Sequence, residues 1–203
     1  MFNFEDFLAR AKERLLLEPA LTWDRSDDDL NAKARMIPEG VKAKTAAVLV
    51  PIVLRDKPTV LLTLRHAGLS THGGQIAFPG GRIDEGEQPL AAALREAQEE
   101  VGLSPTLATP LGYLPNYLTV TAYQVTPVVA VIEPDFRLAL QSDEVDEAFE
   151  VPLSFLMSPE NCQHQSRKWN GVARHYYVYQ FEDRHIWGAT AGMIRSLHDQ
   201  IYP

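Results

Sequence analysis

Residues 89–102 read PLAAALREAQEEVG, a run of strong helix formers opened by proline and closed by glycine. Proline suits the first helical position, where its missing N–H costs nothing, and glycine suits the left-handed residue that closes a helix. At about 100° per residue, Leu90, Leu94, Ala97 and Val101 share a narrow arc that faces a core. Glu96, Glu99 and Glu100 fall at i, i+3 and i+4, which predicts that all three carboxylates share a second arc, clear of the apolar stripe. Like charges at that spacing repel by roughly a few tenths of a kcal/mol per pair, and acids in the last turn oppose the helix dipole. Arg95 reaches Glu99 at i+4, but one guanidinium does not neutralise three carboxylates. A divalent cation does, and an all-oxygen donor set suits Mg²⁺ or Mn²⁺. Read from the helix alone, an ordinary solvated acidic face is the alternative.

Working outward, residues 69–82 (LSTHGGQIAFPGGR) are rich in glycine and lead into the helix. Two β-rich apolar runs precede them, 46–54 and 59–64, joined by Arg55-Asp56-Lys57-Pro58, which predicts a hairpin. Further β-rich runs follow at 112–118, 123–132 and 175–181, and a helical pattern closes the chain at 189–201. Near the start, Phe4, Phe7, Leu8, Ala11 and Leu15 line one face of a helix whose other faces are charged. That helix is too charged to span a bilayer or act as a signal peptide, and docking onto the domain is favoured over lying on a membrane surface. Residues 23–40, polar and rich in Asp, show no steady period and predict a loop or linker. Strands interleaved with helices, without a βαβ repeat or dinucleotide fingerprint, argue for an α/β protein with a mixed sheet between helices. The expected organisation is an amphipathic helix and linker over 1–40 and one globular domain over 41–203.

The chain has 203 residues, 45% of them hydrophobic, enough for one domain with a sizeable core. Its net charge of -8 disfavours nucleic-acid and anionic-membrane partners, although a local basic pocket could bind a small anion. The single cysteine, Cys162, forms no intrachain disulfide, which fits a reducing cytosol; a metal or nucleophile role with His164 lacks a second Cys-His pair.

Gly81, five residues, Glu87, seven residues, Arg95-Glu96-Ala97, one residue, Glu99-Glu100, one residue, then Gly102-Leu103 resembles the complete Nudix box. Ala97 departs softly, standing where a larger aliphatic is usual. The resemblance implies an α/β/α sandwich with a mixed β-sheet, and hydrolysis of a nucleoside diphosphate linked to another moiety. It implies that Glu96, Glu99 and Glu100, with the Gly81 carbonyl, bind the metal and that Glu87 and Arg95 orient the loop and carboxylates. The general base varies within the superfamily. Glu99 is one candidate, and an acid outside the box, Glu144 or Glu147, is another, unless residues 142–147 are only a solvated charge run.

Residues 61–65 (LLTLR), 69–74 (LSTHGG), 78–81 (FPGG) and 186–191 (IWGATA) resemble the coenzyme A pyrophosphatase branch of the superfamily. CoA carries a diphosphate and a 3′-phosphate, for which Arg65, His72 and Arg82 supply cationic or donor groups, while Gly80 and Gly81 let backbone amides approach phosphate oxygens. Tight turns and a strand-end arginine are the plainer reading of those residues. The branch implies cleavage of CoA to 3′-phospho-AMP and 4′-phosphopantetheine. Residues 158–173 read as a loop, and a lid over the pantetheine arm is one expectation for it. No peroxisomal address closes the chain, so a cytoplasmic enzyme is expected, and superfamily habit adds a homodimer. Two rival readings stand: a Nudix hydrolase of ADP-ribose, a dinucleoside polyphosphate or NADH, and a non-catalytic ligand-binding module, against which the intact acidic triad weighs.

Overall fold

The structure, a computed structural model, describes residues 2–31, 35–169 and 171–203. Its centre is the strand β2 (Lys44–Val53), and the pleat of that strand defines the architecture. Ala46, Val50 and Ile52 point into one apolar core, while Ala47, Leu49 and Val53 point into another on the opposite face. A strand buried on both faces needs a layer on each side. One layer is α2 (Pro89–Val101); the other contains α1 (Phe4–Arg14), the short α3 (Leu153–Leu156) and α4 (Gly188–Ile201). The result is a mixed α/β protein with the expected sandwich layering.

The main mixed sheet runs β1 (Trp23–Ser26), β7 (Asn116–Leu118), β8 (Tyr123–Ile132), β2, β3 (Thr59–Arg65), β4 (Ile76–Ala77). Three further strands join it: β5 (Gly80–Arg82) on β2, β6 (Ala108–Tyr113) on β8 and β9 (Val145–Pro152) on β3. On one side β2 pairs along its length with β8 in parallel; on the other it pairs with β5 over 46–48 and with β3 over 52–53. Pro51 falls where one partner gives way to the next, a position at which a missing N–H is tolerated. The hairpin at 55–58 forms as expected, although β3 spends most of its length on β9. A separate antiparallel sheet contains β10 (Cys162–Trp169), β11 (Val172–Phe181) and β12 (Arg184–Trp187).

The first helix docks as its apolar face requires. Asn3 caps it by accepting the Asp6 amide at 3.0 Å, and Phe7, Ala11 and Leu15 are buried with Leu197 and Ile201 of α4. Among the described residues no helix is long and apolar enough to cross a membrane.

Three local expectations need correction. Within 23–40, residues 23–26 form β1, parallel to β7, and the buried Asp28 and Asn31 are tied down by polar contacts that leave no hydrophobic period. Asn31 donates to the His175 carbonyl at 2.8 Å and accepts the His175 amide at 2.8 Å, while Asp28 pairs with Arg174 at 2.8 Å. Residues 32–34 of that stretch lie outside the described residues. The expected loop at 158–173 contains β10, an edge strand paired residue for residue with β11; Asn170 lies outside the described residues. Its polar sequence suits a strand that has a partner on one side only. Finally, the run 112–118 is two strands, β6 and β7, interrupted at Leu114 and Pro115.

Candidate active site

The helix α2 begins with Pro89 in its first turn and ends at Gly102, whose φ of 73° is the left-handed closing conformation. Gly102 donates to the Gln98 carbonyl at 2.9 Å and Leu103 to that of Ala97 at 3.3 Å. The buried face is rotated from the expected one. Ala92, Ala93, Ala97 and Val101 are buried, but so is Glu100, while Leu90 and Leu94 are only partly covered. Small alanines let the helix lie close to β2 and β5, and that approach carries the acidic edge inward. The carboxylates are therefore graded: the Glu100 side chain is 2% exposed, Glu96 16% and Glu99 61%.

Glu100 meets two motifs that lie upstream in sequence. Its carboxylate accepts the Gly80 amide at 3.1 Å and lies 3.4 Å from Nη1 of Arg65 on β3. Burial pushes its pKa up to about 7; the Gly80 amide and Arg65 oppose the rise, and Glu96 and Glu144 add to it. Burial also raises the pKa of Glu96, which Arg95 opposes and Glu99 and Glu144 reinforce. Gly81 lies against Glu96 so closely that a methyl group there would fall 2.4–2.6 Å from its carboxyl atoms. At Gly80 an added methyl would meet the Ala47 carbonyl at 2.4 Å and Val48 Cα at 2.6 Å.

Arg95 organises the rim. It donates to both oxygens of Glu87 at 3.0 Å, to Glu96 at 2.9 Å, to Glu99 at 3.1 Å and to the Arg82 carbonyl at 3.1 Å. Arg95 holds the Glu87 carboxyl below the ordinary carboxylate range, assisted by the Asp84 amide. Glu144 lies in the turn before β9, exposed, close enough to both Glu96 and Glu100 for its charge to act on them.

The structure brings Glu96, Glu99, Glu100, Gly80, Gly81, Glu87, Arg95, Arg65 and Glu144 to one end of the sheet. It places three other candidates elsewhere. Gly81 faces α2, so its neighbour Arg82 projects from the opposite face of β5, where it donates to the Tyr123 hydroxyl at 3.0 and 3.2 Å. His72 stands exposed in the loop between β3 and β4, where its Nδ1 is 2.9 Å from Gln75 Oε1. Glu147 is bound in a two-pronged ion pair by Arg184, at 2.8 and 2.9 Å.

A divalent cation finds suitable chemistry here, in all-oxygen donors and a buried carboxylate with a raised affinity for positive charge. The spacing is not closed, however. Among the described residues no three acidic, His or Cys side chains converge tightly enough to hold an ion, because Glu96 and Glu99 turn toward Arg95. Two supports are not foreseeable from the helix or the motifs, the Gly80 amide on Glu100 and the pair His66–Asp146 beside Arg65. The Asp-rich run 142–147 was the available signal for the second.

A glycine strand thus lies against a helix that presents graded carboxylates, and an arginine fork binds that helix to the preceding loop. The family model for the NUDIX domain matches residues 43–180. Over 164 residues the chain is 42% identical to the Nudix hydrolase NudL of Escherichia coli K12 and 43% identical to NudL of Citrobacter koseri; each match covers 80% of this chain and 85% of the relative. The crystal structure of DR0079 from Deinococcus radiodurans is alike in fold alone, with a TM-score of 0.52 at 11% identity over 79% of this chain and 88% of that one. The chain belongs to the Nudix family.

Proposed function

We propose that this chain is a metal-dependent pyrophosphohydrolase that cleaves the diphosphate of coenzyme A and its derivatives into 3′-phospho-AMP and 4′-phosphopantetheine, within the cytoplasm. One observation carries the reading. Arg65 of LLTLR and Gly80 of FPGG both bind Glu100 of the Nudix box, so the residues that resemble the CoA branch and those that resemble the general box meet at one carboxylate.

Glu96, Glu99 and Glu100, with the Gly81 carbonyl, would hold Mg²⁺ or Mn²⁺, which would supply positive charge against the diphosphate and make an attacking water more acidic. Arg65 contacts Glu100 through Nη1, which leaves the rest of its fork for a phosphate oxygen. Arg95 and Glu87 fix the loop 82–88 to the helix and keep Glu96 and Glu99 within reach of the substrate. Glu99 is engaged by Arg95, whereas Glu144, exposed in the turn before β9, has no such arginine among the described residues and lies close enough to act on Glu96 and Glu100. We therefore assign the proton-accepting role to Glu144. It takes a proton from the water that attacks phosphorus, the P–O–P bond breaks, and the second phosphate leaves as the other product.

A Nudix hydrolase of ADP-ribose, NADH or a dinucleoside polyphosphate is the alternative. The test is mass identification of 4′-phosphopantetheine from CoA with Mg²⁺, for the wild type and for Glu100→Gln. Loss of several orders of magnitude in kcat is expected for the variant; near wild-type turnover contradicts the ligand assignment.

A further inference from the structure

The ladder between β3 and β9 is regular from Thr59↔Pro152 to Leu64↔Glu147 and then slips, so that Arg65 pairs with Val145. Asp146 is the extra residue. A bulge bends its strand and re-aims side chains, and bulges concentrate beside active sites. Here the bulged carboxylate turns to the neighbouring strand: Asp146 Oδ1 is 2.5 Å from His66 Nδ1, and Oδ2 accepts the Ala67 amide at 3.0 Å. The His66 amide donates in turn to the Glu144 carbonyl at 2.8 Å. Immediately beyond, the loop 66–75 is closed at its base by Arg65 N–H to the Gln75 carbonyl at 3.0 Å and Gly74 N–H to the Arg65 carbonyl at 2.9 Å.

Arg65 ends β3 and Glu144 lies in the turn before β9, and His66 and Asp146 are the pair that joins those two segments at the slip. We infer that Asp146 and His66 are positioning residues, which act through Glu144, whose carbonyl accepts the His66 amide, beside Arg65 at the diphosphate site. The inference rests on the proposed hydrolase reading. The side chains are 37% and 42% exposed, and a pair so exposed contributes little to global stability. A purely structural pair would therefore be nearly silent, whereas a positioning pair alters turnover while leaving the melting temperature within about 2–4 °C.

The experiment is a double-mutant cycle on the full chain with Mg²⁺, comparing wild type, Asp146→Ala, Glu144→Gln and the double variant. Asp146→Ala is expected to lose about tenfold or more in kcat/KM, and that loss should shrink below about threefold in the Glu144→Gln background. Asp146→Asn, which can still accept the Ala67 amide, should recover most of the activity. Should Asp146→Ala fail to fold, His66→Ala takes its place with the same expectation. Wild-type activity in the single variant, or an equal loss in both backgrounds, overturns the inference. If the wild type cleaves another diphosphate and leaves CoA intact, the CoA reading falls, and the same cycle on that other substrate decides the role of Asp146.

Discussion

Replacing Glu100 with Gln should stabilise the metal-free chain at pH 8 while it abolishes turnover. Burial lifts the Glu100 carboxyl from an ordinary 4.5 to about 7. Each tenfold change in proton affinity is worth about 1.4 kcal/mol, so holding this group ionised costs the fold about 3 kcal/mol. The sign follows from the folded chain binding the proton more tightly than the unfolded one. The favourable contribution is fully present below about 4.5 and is lost as pH rises through about 7. Glutamine is neutral throughout and can still accept the Gly80 amide. In chelator at pH 8 the variant should therefore melt about 6–12 °C above wild type, a margin that shrinks toward zero at pH 4.5. Thermal denaturation at both pH values measures this. Added Mg²⁺ should raise the wild type and leave the variant nearly unmoved, because a ligand stabilises only the form that binds it. A variant that melts below wild type at pH 8 in chelator refutes the claim that Glu100 is a strained, buried charge.

Gly81→Ala and Gly80→Ala should separate activity from stability. The first displaces the end of the Glu96 side chain, so kcat should fall by more than tenfold with little change in melting temperature; the second meets backbone and should cost about 1–3 kcal/mol in denaturant unfolding. Arg95→Lys loses the fork that binds Glu87, Glu96, Glu99 and the Arg82 carbonyl together, and steady-state assays should show kcat reduced at least tenfold. Asp28→Ala removes one member of a buried ion pair that also accepts the Met36 and Ile37 amides, and urea unfolding should show a loss of about 3 kcal/mol with turnover retained in the folded fraction.

The helix that carries the site was legible to the residue, because proline, glycine and the period of 3.6 are local signals. The grading of its acids was not. Apolar content points the helix along Leu90 and Leu94, whereas packing rotates it toward Ala92 and Ala93 and carries Glu100 inward onto the Gly80 amide. Strand β9 carries no clean alternation because Asp146, Glu147 and Glu150 interrupt its apolar residues. In the structure those charges meet His66, Arg184 and Arg55. The segment 23–31 is illegible for a related reason, since its buried members are Asp28 and Asn31, and polar anchoring leaves no periodicity to read.

The most direct single measurement is to incubate the purified chain with CoA, ADP-ribose, NADH and a diadenosine polyphosphate, each with Mg²⁺, with Mn²⁺ and with chelator, and to identify products by mass. Metal-dependent release of 4′-phosphopantetheine, with the other substrates much slower, is the expected result. CoA left intact while another diphosphate is cut would contradict the substrate assignment, and no cleavage of any of them would contradict the hydrolase itself.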